Sequence, residues 1–237
     1  ITEEYASLAI EQVENTALMQ DNVLVVYLPE CHESVAGIIA GRVREKFYKP
    51  SIVITKAEEG AKGSGRSIEG YNMFEEISKC GSLLNKYGGH PMAAGISLDI
   101  DKIDSFRKAL NASQTLTEKE LTPTVWIDVP MPVDYVDISL IRQFDKLQPF
   151  GKGNEKPVFA DRNLYVKESV LIGKNRNVLR CKLESEHGKL VTAIKFKMEG
   201  QEIPEEGRKI SMVYYPDINE YNGIVSVQFR IEDWKYC

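Results

Sequence analysis

The run NVLVVYL at positions 22–28 is apolar at nearly every residue, the pattern of a strand covered on both faces. In ESVAGIIAGRVREKF, Val35, Ile38, Ile39, Val43 and Phe47 recur at helical spacing, and after Pro50 a second apolar run, SIVIT, begins at Ser51. Strand, helix and strand in this order predict a βαβ unit with a parallel strand pair. Ala36, Gly37, Ala40 and Gly41 are small enough to let the helix sit close to its sheet. Upstream, Tyr5, Leu8, Ala9 and Val13 mark one helical face, and the chain starts without Met inside that pattern, as the cut end of something longer would.

Further on, EEGAKGSGRSIEGYN is glycine-rich and polar and reads as a loop, a hairpin or a short strand around Arg66. MFEEISKCGSLLNKY returns to helical periodicity, MAAGISL reads as a strand, and DKIDSFRKALNAS as a helix with Asp99 or Asp101 near its cap. In TEKELTPTVWIDVPMP the prolines at 123, 130 and 132 exclude a long helix, and the alternation of Val125, Ile127 and Val129 suggests an extended connector. One more helix, DISLIRQFDKLQPF, ends at Gly151. Short strands follow, separated by the turn signals GKNRN, EHGK and NEYNG, and about five of them make a small β-barrel. The expected organisation is a connector helix over 1–20, an α/β domain over 21–117, a linker strand and helix over 118–150, and an all-β barrel over 151–237.

Composition narrows the function classes. A net charge of −5 argues against a uniformly basic nucleic-acid coat but leaves room for a local basic face. Such a face is visible between Asp161 and Lys197, with nine basic residues against four acidic. Lys167, Lys174, Arg176, Arg180, Lys182, Lys195 and Lys197 are the candidate phosphate-tracking groove, with Tyr165 for base stacking. Strand alternation puts Lys195 and Lys197 on one face and Phe196 on the other, which makes Phe196 the weaker stacking candidate. The competing reading is lysines that solubilise strands around core aromatics. Cys31, Cys80, Cys181 and Cys237 form no C-x-x-C pair, so reduced intracellular thiols, and hence a cytoplasmic protein, are expected. No apolar run is long enough to span a bilayer, and the opening residues are too charged for a signal peptide.

Three stretches carry candidate chemistry. In GGH, Gly88 and Gly89 let backbone amides approach a ligand and His90 can donate to an anion; equally, the stretch is a tight turn into a packed strand. In GSGRS, Ser64 and Ser67 bring hydroxyls and Arg66 a planar fork matched to phosphate oxygens, unless this is an exposed loop with a surface arginine. His32 stands just before a helix whose free amides favour an anion, or else makes a local capping bond. The acidic residues Asp99, Asp101 and Asp104 read as helix capping and solvated surface.

HESVAGIIAGRVREKFYKPSIVIT, GSGRSIEGYNMFEEI and LLNKYGGHPMAAGISL, in this order, closely resemble the DHHA1 domain of RecJ-type single-stranded-DNA exonucleases. LQPFGKGNEKPVFA and NEYNGIVSVQFRIEDW resemble the start and end of that family's OB domain, so the resemblance runs from about residue 20 to the C-terminus. Where this chain has Cys31, family members often have a tryptophan. The resemblance implies an α/β DHHA1-type domain followed by an all-β OB-fold barrel, as a fragment of a multi-domain protein whose N-terminal DHH domain precedes residues 1–20. It also implies a 5′ to 3′ exonuclease of DNA repair and recombination that cuts single-stranded DNA with Mn2+ or Mg2+. Those metals sit on the DHH domain, including an Asp-His-His sequence that these 237 residues do not contain. No metal is therefore expected on this chain, and no hydrolysis by it alone. By analogy Ser64 and Arg66 grip the 5′ phosphate, while Gly88, Gly89 and His90 line the cleft wall. The alternatives are a non-catalytic single-stranded nucleic-acid-binding module and a DHH-family phosphoesterase acting on short oligonucleotides or cyclic dinucleotides.

Overall fold

The computed structural model describes residues 2–196, 198 and 201–237; Lys197, one of the expected groove cations, lies outside the described residues. The chain divides into two compact units, 1–124 and 125–237, the first with two hydrophobic cores and the second with one.

The first unit is built on a five-stranded sheet in the order β1 (Leu24–Tyr27), β2 (Ser51–Lys56), β3 (Ala61–Arg66), β5 (Ala93–Leu98), β4 (Lys86–His90). β1 and β2 are parallel and joined by the helix α2 (Glu33–Phe47); the other pairings are antiparallel. Alternation along β1 and β2 explains the unbroken apolar runs. Val23, Val25, Ile52 and Ile54 point to one core, completed by Met73 and Ile77 of α3 (Met73–Lys79) and Phe106 and Leu110 of α4 (Ile103–Ser113). Leu24, Val26 and Val53 point to the other, under α2 and α1 (Thr2–Glu14).

Two local expectations change. The periodicity of MFEEISKCGSLLNKY persists to Leu84, but the α-helix stops at Lys79; a single 3-10 turn over Gly81–Leu83 then carries Leu83 and Leu84 to the same core. Neither Asp99 nor Asp101 caps α4 with its side chain: a 3-10 turn over Ile100–Lys102 precedes the helix, and Asp99 accepts a hydrogen bond from Asn85 instead, at 3.0 Å.

Residues 63–66 of GSGRS lie in β3, a central strand, although it holds no large apolar residue, and Ser67 follows directly after it. A Cβ on Gly63 would lie 2.9 Å from Ile96 and 3.0 Å from Ile54, and one on Gly65 would lie 3.2 Å from Met73. Neighbouring side chains already fill the space on that face, so glycine is what close packing there admits. The opposite face of β3 carries Lys62, Ser64 and Arg66 toward α2.

The second unit is a closed barrel. β7 (Phe159–Ile172), β8 (Val178–Glu184) and β9 (Leu190–Phe196) form an antiparallel meander, and β10 (Lys209–Tyr221) and β11 (Ile224–Tyr236) a long hairpin. β11 pairs β9 in parallel and β10 pairs β7, which closes the sheet. Part of the segment expected to be linker belongs to this unit: β6 (Val129–Pro130) extends the sheet beside β7, and Ile141 of α5 (Ile138–Phe144) is in its core. Lys189 ties that segment down, its ammonium donating to the carbonyls of Val133 at 2.9 Å, Asp134 at 3.2 Å and Val136 at 2.9 Å.

Candidate nucleic-acid interface

The register of the first sheet brings the two separate motifs together. Arg66 is opposite Ala93, and Ala93 opposite His90; one rung along, Ser64 is opposite Gly95 and Gly95 opposite Gly88; the next rung is Lys62, Ser97 and Lys86. Directly paired residues share a face. Arg66, Ser64 and Lys62 therefore stand on the same side of the sheet as His90, Gly88 and Lys86, two strand spacings or about 10 Å away. α2 covers this side only as far as β3. Beyond it Gly95, Gly88 and His90 are exposed, and Ala93 is half-buried. The result is a shelf floored by residues with little or no side chain, flanked by cations and by the start of α2. A cleft of about 380 Å³ opens over its Lys62 and Lys86 end, lined also by Glu33, Ala36, Ser64 and Ser97.

The glycines of the shelf differ in why they are glycine. A Cβ on Gly88 would have nothing within 4 Å, and one on Gly95 would meet only the Gly63 carbonyl at 4.0 Å, so folding does not demand either. Gly89 faces the other way: its φ is 156°, and a Cβ would run into the Ala93 carbonyl and lie 2.6 Å from Ala94 Cα. Gly89 therefore serves the close pairing of β4 with β5 and does not line the cleft wall, because register turns it to the opposite face from Gly88 and His90. The Pro91–Met92 turn that joins these strands is pinned by the Met73 and Ser67 amides, which donate to the carbonyls of Pro91 and Met92.

Arg66 is half-buried; its Nη1 donates to the Gly65 carbonyl at 2.8 Å, which sets the base of the guanidinium and leaves the rest beside α2. At the far rung Lys62 pairs with Glu33 at 2.7 Å, and its ammonium holds the Glu33 carboxyl below the usual glutamate range.

Two expected ligand groups are spent internally. Ser67 is fully buried and its hydroxyl donates to the Tyr71 carbonyl at 2.6 Å, bracing the turn into α3. His32 is the N-cap of α2, and its Nδ1 accepts from the Ser34 amide at 3.2 Å, so the imidazole occupies the helix end that an anion would need. Cys31, next to it, is buried in the core beneath α1 and α2.

The sequence of each unit also matches known families. The family model described as "DHHA1 domain" matches residues 20–115, and that described as "RecJ OB domain" matches residues 127–233. This chain pairs a DHHA1 domain with a RecJ OB domain. The protein named single-stranded-DNA-specific exonuclease RecJ from Bacillus subtilis is 36% identical over 229 residues, taking in 95% of this chain and 29% of its own length. Its namesake from Dickeya dadantii is 31% identical over 230 residues, covering 94% of this chain and 40% of its own length. The chain thus spans well under half of these curated relatives. The crystal structure of Thermus thermophilus RecJ in complex with Mg2+ covers 100% of this chain and 36% of its own, with a TM-score of 0.74 at 21% identity, which shows the fold.

Among the described residues no group of three or more His, Cys, Asp and Glu is close enough to hold an ion. Asp99 is engaged by Asn85 and, at 3.7 Å, by Lys102; Asp104 is engaged by Lys108 at 2.6 Å, which holds its carboxyl below the usual range.

The OB domain revises the basic groove. On the outer face of β7, β8 and β9, Glu168 lies between two cations, 2.8 Å from Arg180 and 2.7 Å from Lys182, while Lys167 pairs with Glu184 at 2.6 Å. A linear count sees these acids as separate; antiparallel register sets them among the cations. Lys195 and Phe196 exchange roles. Lys195 is opposite core Leu179, its side chain 16% exposed, and its amine donates to the Glu232 carbonyl at 3.0 Å. Phe196, 53% exposed, stands on the outer face in the row of Ile172 and Val178. Lys174 and Arg176, in the turn between β7 and β8, are exposed and without an ion pair among the described residues. Tyr165 lies under Lys167, whose ammonium is 4.9 Å from the ring centroid. Phe196 is the surface aromatic that sequence reasoning ranks too low.

Proposed function

We propose that this chain holds the 5′ end of single-stranded DNA for a RecJ-type 5′ to 3′ exonuclease, with hydrolysis carried out at Mn2+ or Mg2+ ions bound by polypeptide outside these 237 residues. The observation that carries the reading is the shelf: Arg66, Ser64 and His90 on one face of one sheet, over the bare floor of Gly88, Gly95 and Ala93. Arg66 and Ser64 take the terminal phosphate, and the shelf takes the sugar-phosphate chain, whose close approach a floor of larger side chains would prevent. Holding the reacting phosphate in one position relative to the metals is catalysis by positioning, in which these residues need transfer no proton. The names of the relatives support the substrate, and the two solved Thermus thermophilus RecJ structures, in complex with Mg2+ and with Mn2+, support the metal class. The OB domain offers a single-strand surface of its own, with Phe196 for stacking and the unpaired Lys174 and Arg176 for phosphates, while Arg180 and Lys182 are held by Glu168. Four free cysteines, three of them buried, are in keeping with the reducing cytoplasm.

The test is binding of this chain to single-stranded DNA with a 5′ phosphate or a 5′ hydroxyl. One charge-assisted contact of about 1.5–3 kcal/mol corresponds to a preference of roughly ten- to a hundredfold for the phosphate. Arg66→Ala removes the preference and leaves affinity for the 5′-hydroxyl strand. Binding without any preference in the wild type supports a plain single-strand-binding module instead.

A further inference from the structure

Among the small residues of α2, Gly37 and Gly41 look alike in sequence, yet their surroundings differ. A Cβ on Gly41 would have nothing within 4 Å. A Cβ on Gly37 would lie 2.7 Å from Nη2 and 3.3 Å from Cζ of Arg66, and 3.3 Å from Oγ of Ser64. The two side chains assigned to the terminal phosphate therefore both rest against Gly37, and neither rests against Gly41. We infer that Gly37 is a positioning residue for 5′-phosphate recognition: its bare backbone is the seat on which the Arg66 guanidinium lies beside the Ser64 hydroxyl. This role for Gly37 rests on the proposed role of Arg66 and Ser64.

The outcome of adding a side chain here depends on which partner yields. Nη2 and Cζ end a long side chain, whereas Gly37 is fixed in a helix whose neighbours Ala36, Ile39 and Ala40 are buried. An added methyl group is accommodated by swinging the guanidinium away, because that costs rotamer energy in one long side chain and shifting the helix disturbs a packed core. Nη1 is held to the Gly65 carbonyl, so the swing also breaks the contact that sets the fork's direction. Glycine inside a helix is otherwise a disadvantage, since alanine is the better helix former. Gly37 is thus a position where local stability and phosphate recognition favour different residues.

The experiment is Gly37→Ala in this chain, alone and combined with Arg66→Ala, read by melting temperature and by affinity for single-stranded DNA with a 5′ phosphate or a 5′ hydroxyl. The expected result is a loss of about tenfold or more in the 5′-phosphate preference for Gly37→Ala, with 5′-hydroxyl affinity unchanged, and no further loss in the double variant. In the Arg66→Ala background the same substitution raises the melting temperature more than it does in the wild type, because the closest obstruction is gone and only the Ser64 hydroxyl remains; such coupling is what a double-mutant cycle detects. This melting comparison also reads the contact if Gly37→Ala alone lowers stability. A wild-type preference that survives Gly37→Ala overturns this inference and leaves the proposed function standing. Equal melting shifts in both backgrounds also overturn it. A wild type with no preference for the phosphate overturns both.

Discussion

At the scale of single residues, adjacent glycines in one motif carry different loads. Gly88→Ala adds a methyl group to open space on the shelf, and Gly89→Ala drives one into the Ala93 carbonyl. The expected outcome is a separation of readouts. Gly88→Ala keeps its melting temperature and weakens binding of single-stranded DNA, whereas Gly89→Ala loses roughly 1–3 kcal/mol of stability in urea titration. The sequence shows two glycines before a histidine and supplies no reason to treat them differently. The difference arises from strand alternation, which becomes readable once β4 is known to be a strand and not a corner. His32 and Ser67 show the converse: hydroxyl and imidazole groups beside a glycine-rich motif read as ligands for an anion, and local backbone amides and carbonyls claim them first.

At the scale of elements, apolar periodicity reveals α2, β1, β2 and most barrel strands, because their burial comes from their own side chains. β3 reads equally as loop, hairpin or strand because its inner face is filled by Ile54, Ile96 and Met73 from neighbouring elements. The outer face of β7 and β8 teaches the same about charge. Glu168 neutralises two cations at once, and Glu168→Gln frees both. That substitution is expected to tighten single-stranded DNA binding and to steepen the dependence of log K on log salt by up to about 0.7 for each further phosphate that the freed cations neutralise. Stability changes little at neutral pH, since these are surface pairs. Lys182 and Arg180 hold the Glu168 carboxyl below its ordinary value of 4.5, so its contribution is present above that pH and is lost as pH falls through the lowered folded value. The acid-side decline in melting temperature is accordingly shallower in Glu168→Gln.

At the scale of the whole molecule, the chain divides into two compact units, and the second begins inside the helix-and-proline stretch that composition marks as a linker. Lys189, donating to three carbonyls of residues 133–136, explains why that stretch belongs to the barrel. Residues 125–237 alone are expected to give a single cooperative melt, and Lys189→Met to lower their stability by about 1–3 kcal/mol by leaving those carbonyls unpaired. Starting the same piece at residue 151 removes β6 and α5 and exposes the surfaces they cover. In the first unit the two-residue turn at Pro91–Met92 has an effect out of proportion to its size. Changing its length by one would exchange odd for even positions along β4, sending Tyr87 and Gly89 to the open side and Gly88 and His90 to the packed one. Spacing in that hairpin is thus as much a part of the recognition code as the identities of the residues it connects.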